Sequence, residues 1–455
     1  MSVKDGRLAL PDGMNYRVLI LPDTQLLTPA LLRKVKQLAE AGATIIGSRP
    51  SKSPGLTDYP ECDSEVEQLA GELWGDCDGK AIKEHAVGKG KIVAGKSLNA
   101  VLTSLGAPTD FEQLTKTTGY KLRCIHRNIA GAEFYFVANS NSQPMIAECA
   151  FRVAAKQPEL WHPDTGRIEN PAVWHEKEGR TVVPLKFESC GSIFVVFDKA
   201  SSGIKPVVTV TRDGNADSSA EIAFGPNGKL ELVVSEQGIY GLKTASGKSV
   251  KVEIKDLPKP VQVTGKWELR FPPNSGAPER VTLDKLISWP AHSDPGVRYF
   301  SGTATYSKTI QVAPEWIAGH RRLYLDLGKV QVIAEVKLNG QSLGTLWKPP
   351  FRADITDVAR AGENQLEVQV VNLWPNRLIG DEQLPDDCQW RTPQTEMGMP
   401  LAGWPKWLLE DKPSPTGRLT FTTWKHWTKD SRLLESGLLG PVTLRVLENI
   451  VVQQL

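Results

Sequence analysis

At 455 residues the chain is too long for one ordinary domain. A formal net charge of +2, spread along the chain, supplies no basic stripe for nucleic acid. No run of roughly eighteen apolar residues offers a membrane span.

In chain order, the opening Met1 to Gly6 lacks the apolar segment of a secretory signal, which gives a cytoplasmic location for the chain as it stands. Arg17 to Leu21 is a short apolar run ended by Pro22, as in a buried strand. Thr28-Pro29 then predicts a helix start, with threonine as cap and proline in the first turn, and Leu31, Leu32, Val35, Leu38 and Ala39 form its apolar face. Thr44 to Gly47 follows as a strand parallel to the first, and Lys91 to Gly95 with a helix over Leu98 to Leu105 repeats the pattern. Residues 1–112 therefore read as a flavodoxin- or amidotransferase-like α/β domain. It carries no Gly-x-Gly-x-x-Gly and no Gly-x-x-x-x-Gly-Lys-Ser/Thr, so the phosphate loop is missing and a scaffolding role is expected.

Beyond this domain the pattern becomes all-β. Ala132 to Asn139 alternates as a strand, Asn139 to Ser142 is a turn, and Met145 to Val153 is expected to pair with the first strand. Gly191 to Asp198 and Lys205 to Thr211 continue the pattern, giving a central β-sandwich over 113–202. Residues 203–262 read as a small β segment between linkers, around Gly203 and at Leu257-Pro258-Lys259-Pro260. Cys62, Cys77, Cys124, Cys149, Cys190 and Cys388 form no Cys-x-x-Cys pair and no metal-ligand spacing. They read as reduced structural residues, with a Cys62–Cys77 bridge as the alternative, and neither metal nor cofactor is expected.

Residues 263–455 form the last domain. Its clearest feature is Val336-Lys337-Leu338-Asn339-Gly340-Gln341, an alternating strand running into a two-residue hairpin turn. Trp267, Trp289 and Trp316 suit a core, whereas Trp347, Trp374, Trp390, Trp404, Trp424 and Trp427 are too many to bury together.

Several of these stretches resemble known proteins. Arg298 to Tyr306, Val336 to Gly340, Pro350 to Thr356 and Gly362 to Val368 are similar to the galactose-binding-like jelly roll of family 2 glycoside hydrolases. Asn372 to Asp381, Thr423 to His426 and Ser436 to Val442 resemble the carboxyl-terminal region of the family 106 α-L-rhamnosidases, and the opening α/β unit resembles the domain after their catalytic barrel. The resemblance implies a carbohydrate ligand. It also implies catalysis on an upstream barrel, and no eight-fold strand and helix alternation exists here to receive those catalytic glutamates.

Three expectations follow: a rhamnosidase-like protein's non-barrel portion, a self-sufficient glycosidase such as a β-galactosidase, or a non-catalytic glycan-binding module whose α/β unit offers a face for a homo-oligomer. Self-sufficient hydrolysis needs two carboxyl groups about 5 Å or about 6.5–9.5 Å apart. Glu382 and Glu396 are the candidates, since both lie between tryptophan-bearing segments. Trp347, Trp390, Trp404 and Trp424 are candidate sugar platforms, with Asn376, Arg377, Asp381, Lys425 and His426 taking hydroxyls. Arg377 and Asp381, four apart, can instead pair with each other, and His426 can be purely structural.

Overall fold

The computed structural model describes residues 1–115, 121–225, 227–392, 396 and 398–452. It divides into two compact units, Met1–Asp110 and Phe111–Leu455.

In the first unit the strands Val18–Ile20, Thr44–Ile46 and Gly90–Val93 run parallel, and Glu84–Val87 closes one edge antiparallel. The Pro29–Glu40 helix starts as its sequence dictates, the Thr28 side chain accepting from the Leu31 amide. Leu32, Val35, Leu38 and Ala39 are buried, but Leu31 is 41% exposed and leaves the expected face. A second helix, Glu61–Trp74, packs Val66, Leu73 and Trp74 into the same core. Cys62 and Cys77 are buried and free, so the alternative bridge is not formed. Gly95 has φ +66°, and a Cβ there would sit 1.7 Å from the Gly79 carbonyl oxygen, so only glycine fits that close approach.

The second unit is built on one long antiparallel sheet. Its strand order is Arg352–Asp354, Arg321–Asp326, Thr443–Val452, Leu230–Val234, Glu221–Phe224, Ile168–Pro171, Lys156–Trp161, Ser192–Ala200, Ala132–Ala138, Arg123–Ile129. One end is covered by a four-stranded sheet that includes Met145–Phe151 and Arg180–Phe187. Between them lies a core centred on Tyr135, Phe151 and Phe197. Ala132–Ala138 and Met145–Phe151 were expected to pair, but they lie in opposite sheets. The cause is Asn139, 1% exposed, whose side-chain amide donates to the Gln143 and Glu188 carbonyls and arches the link across the sandwich.

The stretch 203–262 does not stand as one segment. Val207–Arg212, Gly238–Thr244 and Ser249–Ile254 form a separate small sheet with Asn215–Ala216, while Glu221–Phe224 and Leu230–Val234 join the long one. Thr443–Val452 pairs with Leu230–Val234 on one side and Arg321–Asp326 on the other, so sandwich and jelly roll share a continuous ladder.

The jelly roll's second sheet runs Arg280–Leu283, Trp267–Arg270, Thr303–Val312, Gly362–Val371, Ile333–Leu338, Gln341–Leu346. Asn339 and Gly340 take φ values of 53° and 81° at the hairpin turn. The Asn339 side chain also donates to Asn364 Oδ1 and the Val358 carbonyl and accepts from the Gln365 amide, locking the neighbouring strand. Trp267 and Trp289 are buried as expected, and the Tyr306 hydroxyl accepts from Trp289 Nε1 and the Leu438 amide.

Candidate functional site

The loops after Gly362–Val371 begin with a short helix, Pro375–Asp381, with proline in its first turn. Asn376 lies inside at 1% exposure: its amide donates to the Leu434 carbonyl and Ser436 Oγ, and its oxygen accepts from the Leu434 amide. The side chain expected to take a sugar hydroxyl is consumed in anchoring a loop. Arg377 and Asp381 form the anticipated i,i+4 pair at 3.1 Å, with side chains 11% and 3% exposed. Asp381 further accepts from the Leu419 and Thr420 amides and the Thr420 hydroxyl, which fixes the 418–422 strap.

Glu382 is held from two sides. Arg418 lies 2.8 Å from its Oε1 and Lys425 3.2 Å from its Oε2, and the same two cations reach Asp386 at 2.9 and 2.6 Å. Two anions and two cations thus close a ring. The cavity beside it is bounded by Asp381, Glu382, Trp390, Trp424, Lys425 and His426 and holds about 30 Å³, room for a water and not for a pyranose. Cys388 also faces it; burial, reinforced by Asp387, pushes its thiol up to about 12, which leaves it inert as a nucleophile.

Glu396 is exposed on a turn and does not border this cavity. The candidate acid and base are therefore not brought together around a common space, and Lys425 is occupied by carboxylates. The tryptophans divide. Trp390 is half-buried and bridges to Leu401, whereas Trp424 is 44% exposed and Trp404, backed by Phe421 at 5.8 Å, is 61% exposed. His426 is exposed and edge-on to Trp427, their centroids 4.9 Å apart.

Trp347, 56% exposed, lies elsewhere, on the wall of an open cleft of about 710 Å³. The floor is the outer face of the long sheet. Alternation decides this: Ile222, Leu232, Leu323 and Val446 point into the core, so Glu221, Glu231, Arg322 and Tyr324 point out. Lys348, next to Trp347, reaches Asp164 of the facing turn at 2.8 Å. Burial works against ionisation of Asp164, but Lys348 outweighs it and holds the carboxyl below its usual range. Burial, with Asp354 alongside, raises the Tyr324 phenol.

Residues 1–175 match the family model for the alpha-L-rhamnosidases of glycoside hydrolase family 106, and residues 294–401 match the glycosyl hydrolase 2 galactose-binding domain-like model. The structure of a rhamnosidase from Novosphingobium sp. PP1Y superposes on 98% of this chain with a TM-score of 0.66 at 30% identity. The chain is rhamnosidase-like. A Formosa agariphila protein named "Putative beta-glucuronidase" is 30% identical over 624 residues, covering 98% of this chain. The rhamnosidase-like chain spans 52% of that relative and 35% of the Novosphingobium structure. Its jelly roll is galactose-binding-like.

Sequence reasoning missed Arg418, Glu221, Glu231, Arg322 and Tyr324. A signal existed for the last four, since Glu221-x-Ala223, Glu231-x-Val233 and Arg322-x-Tyr324 each flank a buried aliphatic residue. What was absent was any indication that these strands are neighbours.

Proposed function

We propose that the chain is the carbohydrate-binding, non-barrel portion of a rhamnosidase-like glycoside hydrolase, its amino-terminal unit a flavodoxin-type scaffold and its exposed Trp404 and Trp424 a platform for sugar rings. The observation that carries this reading is the closed ring at Glu382. A general acid must reach the glycosidic oxygen, and both Glu382 oxygens are already taken up by Arg418 and Lys425 beside a space that admits only a water. The exposed indoles on the same loops have no such engagement, and flat aromatic faces suit the apolar face of a pyranose. Incubation with nitrophenyl glycosides of rhamnose, glucuronic acid and galactose tests it. No turnover is expected on any of them, and Glu382→Gln should change nothing; turnover lost in Glu382→Gln or Glu396→Gln would overturn the reading. Glycan binding should weaken in Trp404→Ala/Trp424→Ala.

A further inference from the structure

The cleft beside Trp347 lies on the second unit's shared sheet, and the loop platform does not touch it. Its volume of about 710 Å³ lies within the range of small-ligand sites, about 300–1,000 Å³. It is assembled from distant parts of the sequence: Asp164 and Arg167 on one rim, Trp347 and Lys348 on the other, sheet residues beneath.

The charges on this surface are unevenly matched. Lys348 is paired with Asp164, Arg167 with Glu169 at 3.0 Å, and Arg352 with Asp326 at 3.0 Å. Arg322 lies beside the Tyr324 hydroxyl, which helps keep its guanidinium charged. Among the described residues, the carboxylates of Glu221 and Glu231 close no ion pair within 4.0 Å; Lys186 and Arg322 act on them only across longer distances. Gly225 leaves room for the Glu231 carboxylate, since a Cβ there would lie 2.2 Å from its Oε1. The cleft thus offers an exposed aromatic wall, a guanidinium with further N–H groups to donate, and two carboxylates that close no ion pair among the described residues. Carboxylates accept from hydroxyls and repel other anions.

We propose that this cleft is a second carbohydrate-binding subsite, specific for an uncharged oligosaccharide. One sugar ring stacks on Trp347, and its neighbours donate hydroxyls to Glu221 and Glu231 and accept from Arg322. Uronate or sulfate-bearing chains are excluded by the two unpaired carboxylates. The proposal rests on the reading that the chain handles carbohydrate, but it uses different residues from the loop platform.

Affinity electrophoresis of the full chain tests it, with galactomannan and arabinogalactan as neutral probes and polygalacturonate and carrageenan as acidic ones. At least one neutral polysaccharide should retard the protein, and Trp347→Ala should weaken that retardation on the order of thirty-fold, as expected for an aromatic anchor. Glu221→Gln/Glu231→Gln should admit polygalacturonate that the unmodified chain rejects. The proposal falls if no neutral polysaccharide retards the chain, if acidic probes bind it better than neutral ones, or if Trp347→Ala binds as tightly as the unmodified chain. Loss in Trp347→Ala with none in Trp404→Ala/Trp424→Ala supports the cleft and removes the platform; the reverse removes the cleft and keeps the platform.

Discussion

The loops around Glu382 and the cleft beside Trp347 draw on one inventory: tryptophan, arginine, lysine and acidic side chains. In the loops every charge of the ring meets an opposite charge, and the space left over fits a water. In the cleft the carboxylates of Glu221 and Glu231 close no ion pair among the described residues, and the Trp347 indole, with Lys348 Nζ 5.8 Å from its centroid, stays exposed above a floor that is already satisfied as a sheet. Residue type alone therefore does not mark a binding surface. Polar groups that have found partners hold structure together, and those without partners are what a ligand can use.

The sharpest way to break this contrast is Asp381→Ala. It would leave Arg377 buried without its carboxylate and orphan the Leu419 and Thr420 amides. A loss of roughly 3–5 kcal/mol is expected in urea unfolding followed by tryptophan fluorescence; a loss below 1 kcal/mol would show that the loops are not locked. Lys425→Met should be milder, roughly 1.5–3 kcal/mol in the same experiment, because Arg418 still grips both acids.

Acid should loosen the cleft's rims. Asp164 has its folded pKa below the ordinary value of about 3.9. Its pairing with Lys348 therefore contributes fully above that ordinary value, and the contribution disappears as pH falls through the lower folded one. The acid limb of the thermal stability profile should be shallower in Lys348→Met than in the unmodified chain; parallel limbs would refute the assignment. Trp347→Ala has the smallest expected effect, within about 0.5 kcal/mol on stability, because its side chain is exposed. A larger loss would class Trp347 with the structural tryptophans.

What was legible in the sequence was local. Thr28-Pro29 announced a helix and Asn339-Gly340 a hairpin, because both signals act within a few residues. The Glu61–Trp74 helix was passed over although Val66, Leu69, Ala70 and Leu73 carry its period; Pro60 stands at its cap position with no side-chain cap to announce it. Arg377 and Asp381 were read as a candidate pair from spacing alone, whereas the partnership of Glu382 with Arg418 joins residues 36 apart and leaves no trace in either neighbourhood. The cleft was illegible for the same reason on a larger scale, since it exists only once Leu230–Val234 and Arg321–Asp326 flank the same strand.

That strand, Thr443–Val452, has a consequence for how the chain reaches its native state. Leu230 finds its partner in Val452, and Arg321 in Glu448, so the ladder is completed only by contacts closing very long loops. Such pairing is slow, because loop-closure entropy is spent before any non-local contact compensates it. Until then the edges of Leu230–Val234 and Arg321–Asp326 stand open, and during synthesis they are the places where a nascent chain would be caught by a neighbour or by a chaperone.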